Sequence, residues 1–165
     1  MSSGYDLVLE RTINAPRDLV WKAWTTPEHL KRWFAPRPYE ITEIEMDLRP
    51  GGIFRIRMVG PDGFDTGHDN AGCMLEIVEG KKLVWTSALG PEYRPAEMGE
   101  GCESFPMTAV VTLADAGDGK TLYRAVALHK SMADRDAHDQ MGFQDGWGKC
   151  ADQLEELAEG LAQTA

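Results

Sequence analysis

The chain has 165 residues, 42% hydrophobic and 27% charged, the proportions of one globular domain with one core over 1–165. Lys and Arg number 17 against 27 Asp and Glu, a net charge of -10. That charge repels phosphate backbones and anionic headgroups, which argues against nucleic acid and membrane surfaces as partners.

No apolar run approaches the roughly 20 residues of a membrane-spanning helix, so no membrane insertion is expected. The first residues, Met1 to Asp6, lack the basic and apolar stretches of a signal peptide. Cys73, Cys102 and Cys150 are widely spaced and form no CxxC. Reduced thiols in a cytoplasmic protein are expected, rather than a disulfide framework or a structural zinc site.

Leu7 to Ile13 alternates apolar and polar, apart from Val8, and reads as a half-buried strand. Asn14-Ala15-Pro16 reads as a helix start, with Asn14 as cap; Leu19, Val20, Ala23 and Trp24 then recur at helical spacing. Thr26-Pro27-Glu28 starts a second short helix, which carries Leu30, Trp33 and Phe34 and stops before Pro36. Strands follow over Tyr39–Leu48 and Ile53–Val59, parted by the turn Arg49-Pro50-Gly51-Gly52. Gly72–Val78 and Lys82–Leu89 read as a hairpin about Glu79-Gly80-Lys81, and Pro106–Ala114 and Thr121–His129 as another about Gly117-Asp118-Gly119. Short connections predict an antiparallel meander. The segment Gly90–Ser104, rich in Gly, Pro and Glu, interrupts it; a loop of that length is often a lid or binding loop.

From Ser131 to about Gln163 the pattern is helical, and Ser131 with Asp134 resembles a capping box. Thirty residues of helix would span about 45 Å and would have to cross the whole sheet. Phe143, Trp147, Cys150, Ala151, Leu154, Ala158 and Leu161 form one stripe. From Leu154 onward that stripe reads as core. Before it, Asp136, Gln140 and Gln144 fall on the same stripe, where unpaired burial would cost about 1–3 kcal/mol each. This half of the helix therefore either projects into solvent or faces a cavity. Gly142, Gly146 and Gly148 inside the helix point to a bend or a close approach.

The order of elements resembles the helix-grip fold of the SRPBCC superfamily, which includes START domains and birch-pollen allergens. Its closest branch is the one named after the activator of heat-shock-protein-90 ATPase. The resemblance is carried by Ala15-Pro16 with Val20-Trp21 and Ala23-Trp24-Thr25, and by Pro27-Glu28 with Trp33-Phe34 and Pro36. It continues through Asp47-x-Arg49-x-Gly51-Gly52, Gly72 with Leu75-Glu76, Leu83-Val84-Trp85, and Gly142-Phe143 with Gly146-Trp147 and Leu154-x-x-Leu157. It implies an α+β fold in which an antiparallel sheet of six to seven strands wraps a long C-terminal helix. It also implies a cavity between the two.

The expected function is binding of a small apolar or amphipathic molecule in that cavity. A cyclase- or hydrolase-like enzyme and a co-chaperone-like interaction module are the alternatives. No GxSxG, P-loop or GxGxxG is present to suggest nucleophilic or nucleotide chemistry, and no cofactor is expected. His68, His129 and His138, with Cys102 or Glu103, match no metal-ligand spacing, so no metal is expected. His129 with Glu76 or Asp136 is a candidate proton shuttle. Tyr123, Ala125, Ala127 and His129 share one face of their strand and Leu122, Arg124, Val126 and Leu128 the other. The pattern leaves either face inside, and the cost of Arg124 on a dry inner face argues for the first. The candidate ligand-binding set is Trp85, Tyr123, His129, Gln140, Phe143, Gln144 and Trp147. A homodimer is compatible with the chain, but nothing in the sequence marks its interface.

Overall fold

The computed structural model describes residues 4–68, 71–97 and 105–164. Seven strands form one antiparallel sheet in the order β1-β9-β8-β5-β4-β3-β2. They are β1 (Asp6–Ile13), β2 (Glu40–Met46), β3 (Ile53–Val59), β4 (Ala71–Val78), β5 (Lys82–Thr86), β8 (Thr108–Gly117) and β9 (Lys120–Leu128). The first strand lies beside the last, with Asp6 opposite Leu128 and Ile13 opposite Thr121. A two-residue ribbon, β6 (Leu89–Gly90) with β7 (Arg94–Pro95), stands apart. The fifth strand therefore stops at Thr86 rather than running on to Leu89.

Two short helices, α1 (Arg17–Thr25) and α2 (Pro27–Trp33), follow β1. Pro16 stands at the start of α1 and Pro27 opens α2, where a missing N–H costs nothing. Asn14 is not the cap expected of it. Its backbone N–H donates instead to Glu155 Oε2 at 2.8 Å, tying the strand end to the C-terminal helix.

The outer alternation of β2 breaks because a bulge shifts the register between Ile41 and Glu43. That bulge explains the three-residue step from Ile41 to Ile44 in a strand of otherwise even period. Gly52 is required where the β2–β3 turn folds back, since a Cβ there would overlap the Asp47 carbonyl and lie 3.0 Å from the Arg49 carbonyl.

The C-terminal helix is two helices, not one. α3 (Met132–Gln140) starts at Ser131, whose Oγ accepts from Asp134 N at 3.2 Å. α4 (Phe143–Thr164) has 22 residues. Between them Gly142 has φ +95, which ends the first helix, and its carbonyl accepts the Gly146 N–H at 2.7 Å to start the second. α4 then lies across the sheet, burying Phe143, Ala151, Leu154, Leu157 and Ala158 against Leu7, Leu9, Leu113, Tyr123 and the faces of α1 and α2. Leu154, Leu157 and Ala158 are buried, in keeping with the core stripe expected from Leu154 onward.

Candidate functional site

The floor of the site follows from strand alternation. On β9, Tyr123, Ala125 and Ala127 are buried, while Leu122 is exposed and Arg124 reaches Glu10 Oε2 at 3.3 Å on the outside. On β5, Leu83 and Trp85 belong to the core. On β3, Phe54 and Ile56 face the same way, with Arg55 and Arg57 turned outward to Glu43, Glu45 and Asp65. There Arg57 and the Gly67 N–H hold the Asp65 carboxyl well below the usual carboxylate range. Two small residues in succession on the β9 face, Ala125 and Ala127, leave room above the sheet.

Above the floor is a cavity of about 350 Å³. Its floor is Met58, Trp85, Met107 and Tyr123; its roof is Phe143, Gly146, Trp147 and Cys150 from α4. Trp24, Trp33 and Phe34 close one end, and His138 with Met141 and Gly142 the other. The rings pack closely: Trp24 meets Trp33 edge to face at 4.9 Å and Trp85 at a tilt at 5.2 Å, and Phe143 lies tilted on Trp147 at 4.5 Å. A second hollow of about 680 Å³ shares Phe34, Met58, Trp85, Met107, His138 and Met141 with the first. It extends over Gly72, Thr86 and Gly90 towards Glu97 and Phe105, so the two form one continuous groove.

Few polar atoms face this space. Cys150 is a neutral thiol, its pKa pushed up to about 12 by burial. Burial likewise raises the Tyr123 phenol. The Trp24 indole N–H approaches the Tyr123 hydroxyl yet makes no hydrogen bond, and it is a buried donor without a partner among the described residues. At the other end His138, only 8% exposed, sits among the rings of Phe105, Phe143 and Trp147 at 5.0, 5.2 and 5.8 Å. Its Nδ1 lies 2.9 Å from His129 Nε2, and His129 Nδ1 lies 2.7 Å from the Tyr5 carbonyl oxygen. Burial, and then the neighbouring His129, push the His138 pKa down to about 4. Among the described residues, the lining of the 350 Å³ cavity thus holds one neutral imidazole and no carboxylate. Such a space can enclose an apolar body and offer a hydrogen bond at either end.

The ligand-binding candidates named from sequence fall into three groups. Trp85, Tyr123, Phe143 and Trp147 are brought together on the cavity wall. His129 is buried one step behind the wall, in contact with His138. Gln140 and Gln144 are exposed; Gln144 Nε2 donates to the Val8 carbonyl at 3.1 Å, on the edge strand. Glu76 pairs in register with Val84, on the outer face of the sheet, and meets Lys82 Nζ at 2.7 Å. His129 and Glu76 therefore lie on opposite faces, and no proton passes directly between them. Asp136 is half-buried on α3 and meets Arg135 at 3.1 Å. His68 is on the outer face with Glu43 and Arg57, away from His129. Cys102 and Glu103 lie outside the described residues with the rest of Met98 to Ser104, the later part of the predicted loop Gly90–Ser104.

Sequence reasoning passed over His138 and Trp24 as wall residues. On an unbroken helix His138 lies nine residues before Trp147, about 180° round the barrel, whereas Gln140 lies seven before it, almost in line. The left-handed Gly142 resets the phase between α3 and α4 and brings His138 inward in place of Gln140. The glycine itself was the available signal.

Curved sheet, long helix and enclosed aromatic space together define a helix-grip protein of the SRPBCC type. The chain belongs to the family described as Activator of Hsp90 ATPase homolog 1-like protein, whose model matches residues 14–159. A protein from Nitrosomonas europaea is 42% identical with TM-score 0.89, the match covering 99% of each chain. A protein from Rhodobacter sphaeroides, 19% identical, superposes at TM-score 0.79 over 97% of this chain and 96% of its own. One from Mycobacterium smegmatis, 23% identical, does so at 0.73 over 93% and 90%. These last two show the fold alone. No curated protein matches the chain. Among the described residues no helix is long and apolar enough to cross a membrane.

Proposed function

We propose that this protein binds a small apolar or amphipathic molecule between α4 and the sheet. The observation that carries the reading is the cavity of about 350 Å³, walled by Trp24, Trp33, Trp85, Phe143 and Trp147. Its size falls within the roughly 300–1,000 Å³ of small-molecule sites, and its lining is apolar with a few placed polar groups, as such sites are. Closely packed interiors do not leave that much space without a use. The exposed large apolar side chains, among them Val78, Leu122 and Met132, are spread over separate elements. That distribution favours an internal site over a chaperone-docking face. The separation of His129 from Glu76 by the sheet favours binding over acid–base chemistry by that pair. We place the protein in the cytoplasm, on the free thiols of Cys73 and Cys150.

Titration with an apolar fluorescent dye, read beside native mass spectrometry, tests the proposal. One dye per chain is expected, with uptake lost in Gly146→Leu. Gly146 lines the cavity and a Cβ there meets nothing within 4 Å, so a side chain at this position enters the space a ligand would occupy. A folded wild-type protein that takes up no dye would sink the idea.

A further inference from the structure

We propose that the cavity selects an aromatic or alicyclic molecule carrying a hydroxyl, and that His138 accepts the hydrogen bond from that hydroxyl through a nitrogen whose state His129 sets. The inference rests on the binding reading above and adds the chemistry of the ligand.

The direction of the hydrogen bonds follows from one fixed point. The Tyr5 carbonyl can only accept, so His129 Nδ1, 2.7 Å away, carries a hydrogen. The form taken here for His129 is the one whose single hydrogen sits on Nδ1, and such an imidazole presents a lone pair at Nε2. At 2.9 Å it can be met only by a donor, so His138 Nδ1 carries the second hydrogen. His138 Nε2 is left bare, as an acceptor. No hydrogen bond to it is made by any described residue, although the ring is 8% exposed and lines both hollows. The surroundings keep the ring neutral: Phe105, Phe143 and Trp147 enclose it. Burial and the adjacent His129 lower its pKa to about 4, against a smaller opposing pull from Asp139.

A ligand hydroxyl that donates to this open nitrogen adds a hydrogen bond within an apolar lining. The Trp24 indole N–H poses the complementary case at the far end: it is a buried donor without a partner, next to the Tyr123 hydroxyl. An ether oxygen cannot donate to His138. A carboxylate would set its charge against the nitrogen lone pair inside an apolar lining, in a molecule of net charge -10. The order of preference is therefore hydroxyl, then ether, then carboxylate.

Three probes of one shape, 2-naphthol, 2-methoxynaphthalene and 2-naphthoate, test this by isothermal titration calorimetry at pH 7.5. Naphthol is expected to bind about tenfold tighter than the methoxy ether, the worth of one buried hydrogen bond, and naphthoate weakest. In His138→Phe the ratio of naphthol to ether should fall to about one while the ether still binds. The imidazole ¹⁵N shifts of the unmodified protein give a reading that needs no variant: both rings should show a protonated Nδ1 and a bare Nε2. Equal affinity for naphthol and ether in the wild type overturns the inference and leaves the binding reading standing, as does an Nε2–H tautomer at His138. Failure of all three probes to bind overturns both.

Discussion

Gln153 carries more of the structure than its place on a mostly apolar helix face suggests. It is 5% exposed. Its Nε2 donates to the Trp33 carbonyl at 3.0 Å and the Ala35 carbonyl at 2.8 Å, while its Oε1 accepts from Arg37 N at 3.0 Å. One side chain thus satisfies three backbone groups where α2 ends, and it bolts that end to α4 beside the cavity. Gln153→Leu keeps the volume and orphans all three groups, so a loss of about 3 kcal/mol in urea unfolding is expected. His138 makes a prediction of a different kind. Its folded pKa of about 4 lies below the ordinary imidazole value of 6.5, so folding favours the neutral ring. The stability it contributes is full above pH 6.5. It is lost as pH falls from 6.5 towards 4, because the unfolded chain takes up the proton first. Asp65 behaves differently: its contribution is lost only as pH falls below its ordinary 3.8. The stability of wild type relative to His138→Phe should therefore decline between pH 6.5 and 4. A flat difference across that window would mean the ring is not held neutral.

At the scale of elements, the two glycines at the head of α4 have opposite roles. Gly142 has φ +95 and is the joint between α3 and α4; Gly142→Ala forces a side chain into that conformation at a cost of about 1 kcal/mol. Gly146 is ordinary helix with open space beside it, and Gly146→Ala should stabilise by about 1 kcal/mol through helix propensity alone. Thermal melts of the two variants should move in opposite directions; movement in the same direction would contradict the assignment of the joint. The pair also shows what the chain's residues reveal by themselves. Strand alternation, proline-led helix starts and the Leu154–Leu161 stripe are local signals, and they yielded the element order and the sheet. The face shown by α3 is not local. It depends on the phase reset at one left-handed residue, which periodicity cannot register, and so Gln140 and Gln144 were placed inward while His138 was not. The aromatic wall was half legible: Trp85, Tyr123, Phe143 and Trp147 followed from alternation and the helix stripe. Trp24 looked like ordinary packing because its neighbours on α1 gave no sign that its orphaned N–H borders a cavity.

Across the whole molecule, the cavity draws its wall from residues as far apart as Trp24 and Cys150, on α1, β3, β5, β9 and both C-terminal helices. The sheet is assembled in the same way, with its edge strand β1 paired to β9 across more than a hundred residues of chain. A ligand seated there touches elements that can separate only when the core opens, so its binding energy adds to global stability rather than to one loop. With 2-naphthol held at a hundred times its Kd, the linkage amounts to about 2.7 kcal/mol. At about 2–4 °C for each kcal/mol in a chain of this size, the melting temperature should rise by about 5–10 °C. Where the protection appears matters more than its size, since any ligand of the folded state gives a rise. Hydrogen exchange measured with and without naphthol should slow together in α1, β5, β9 and α4, which share the cavity but are remote in sequence. β2, none of whose residues lines either hollow and whose Glu43 and Glu45 meet Arg55 and Arg57 on the charged outer face, should gain only what global stabilisation gives every amide. Protection centred on that charged face, with the helices unchanged, would place the ligand outside the cavity and remove the case for an internal site.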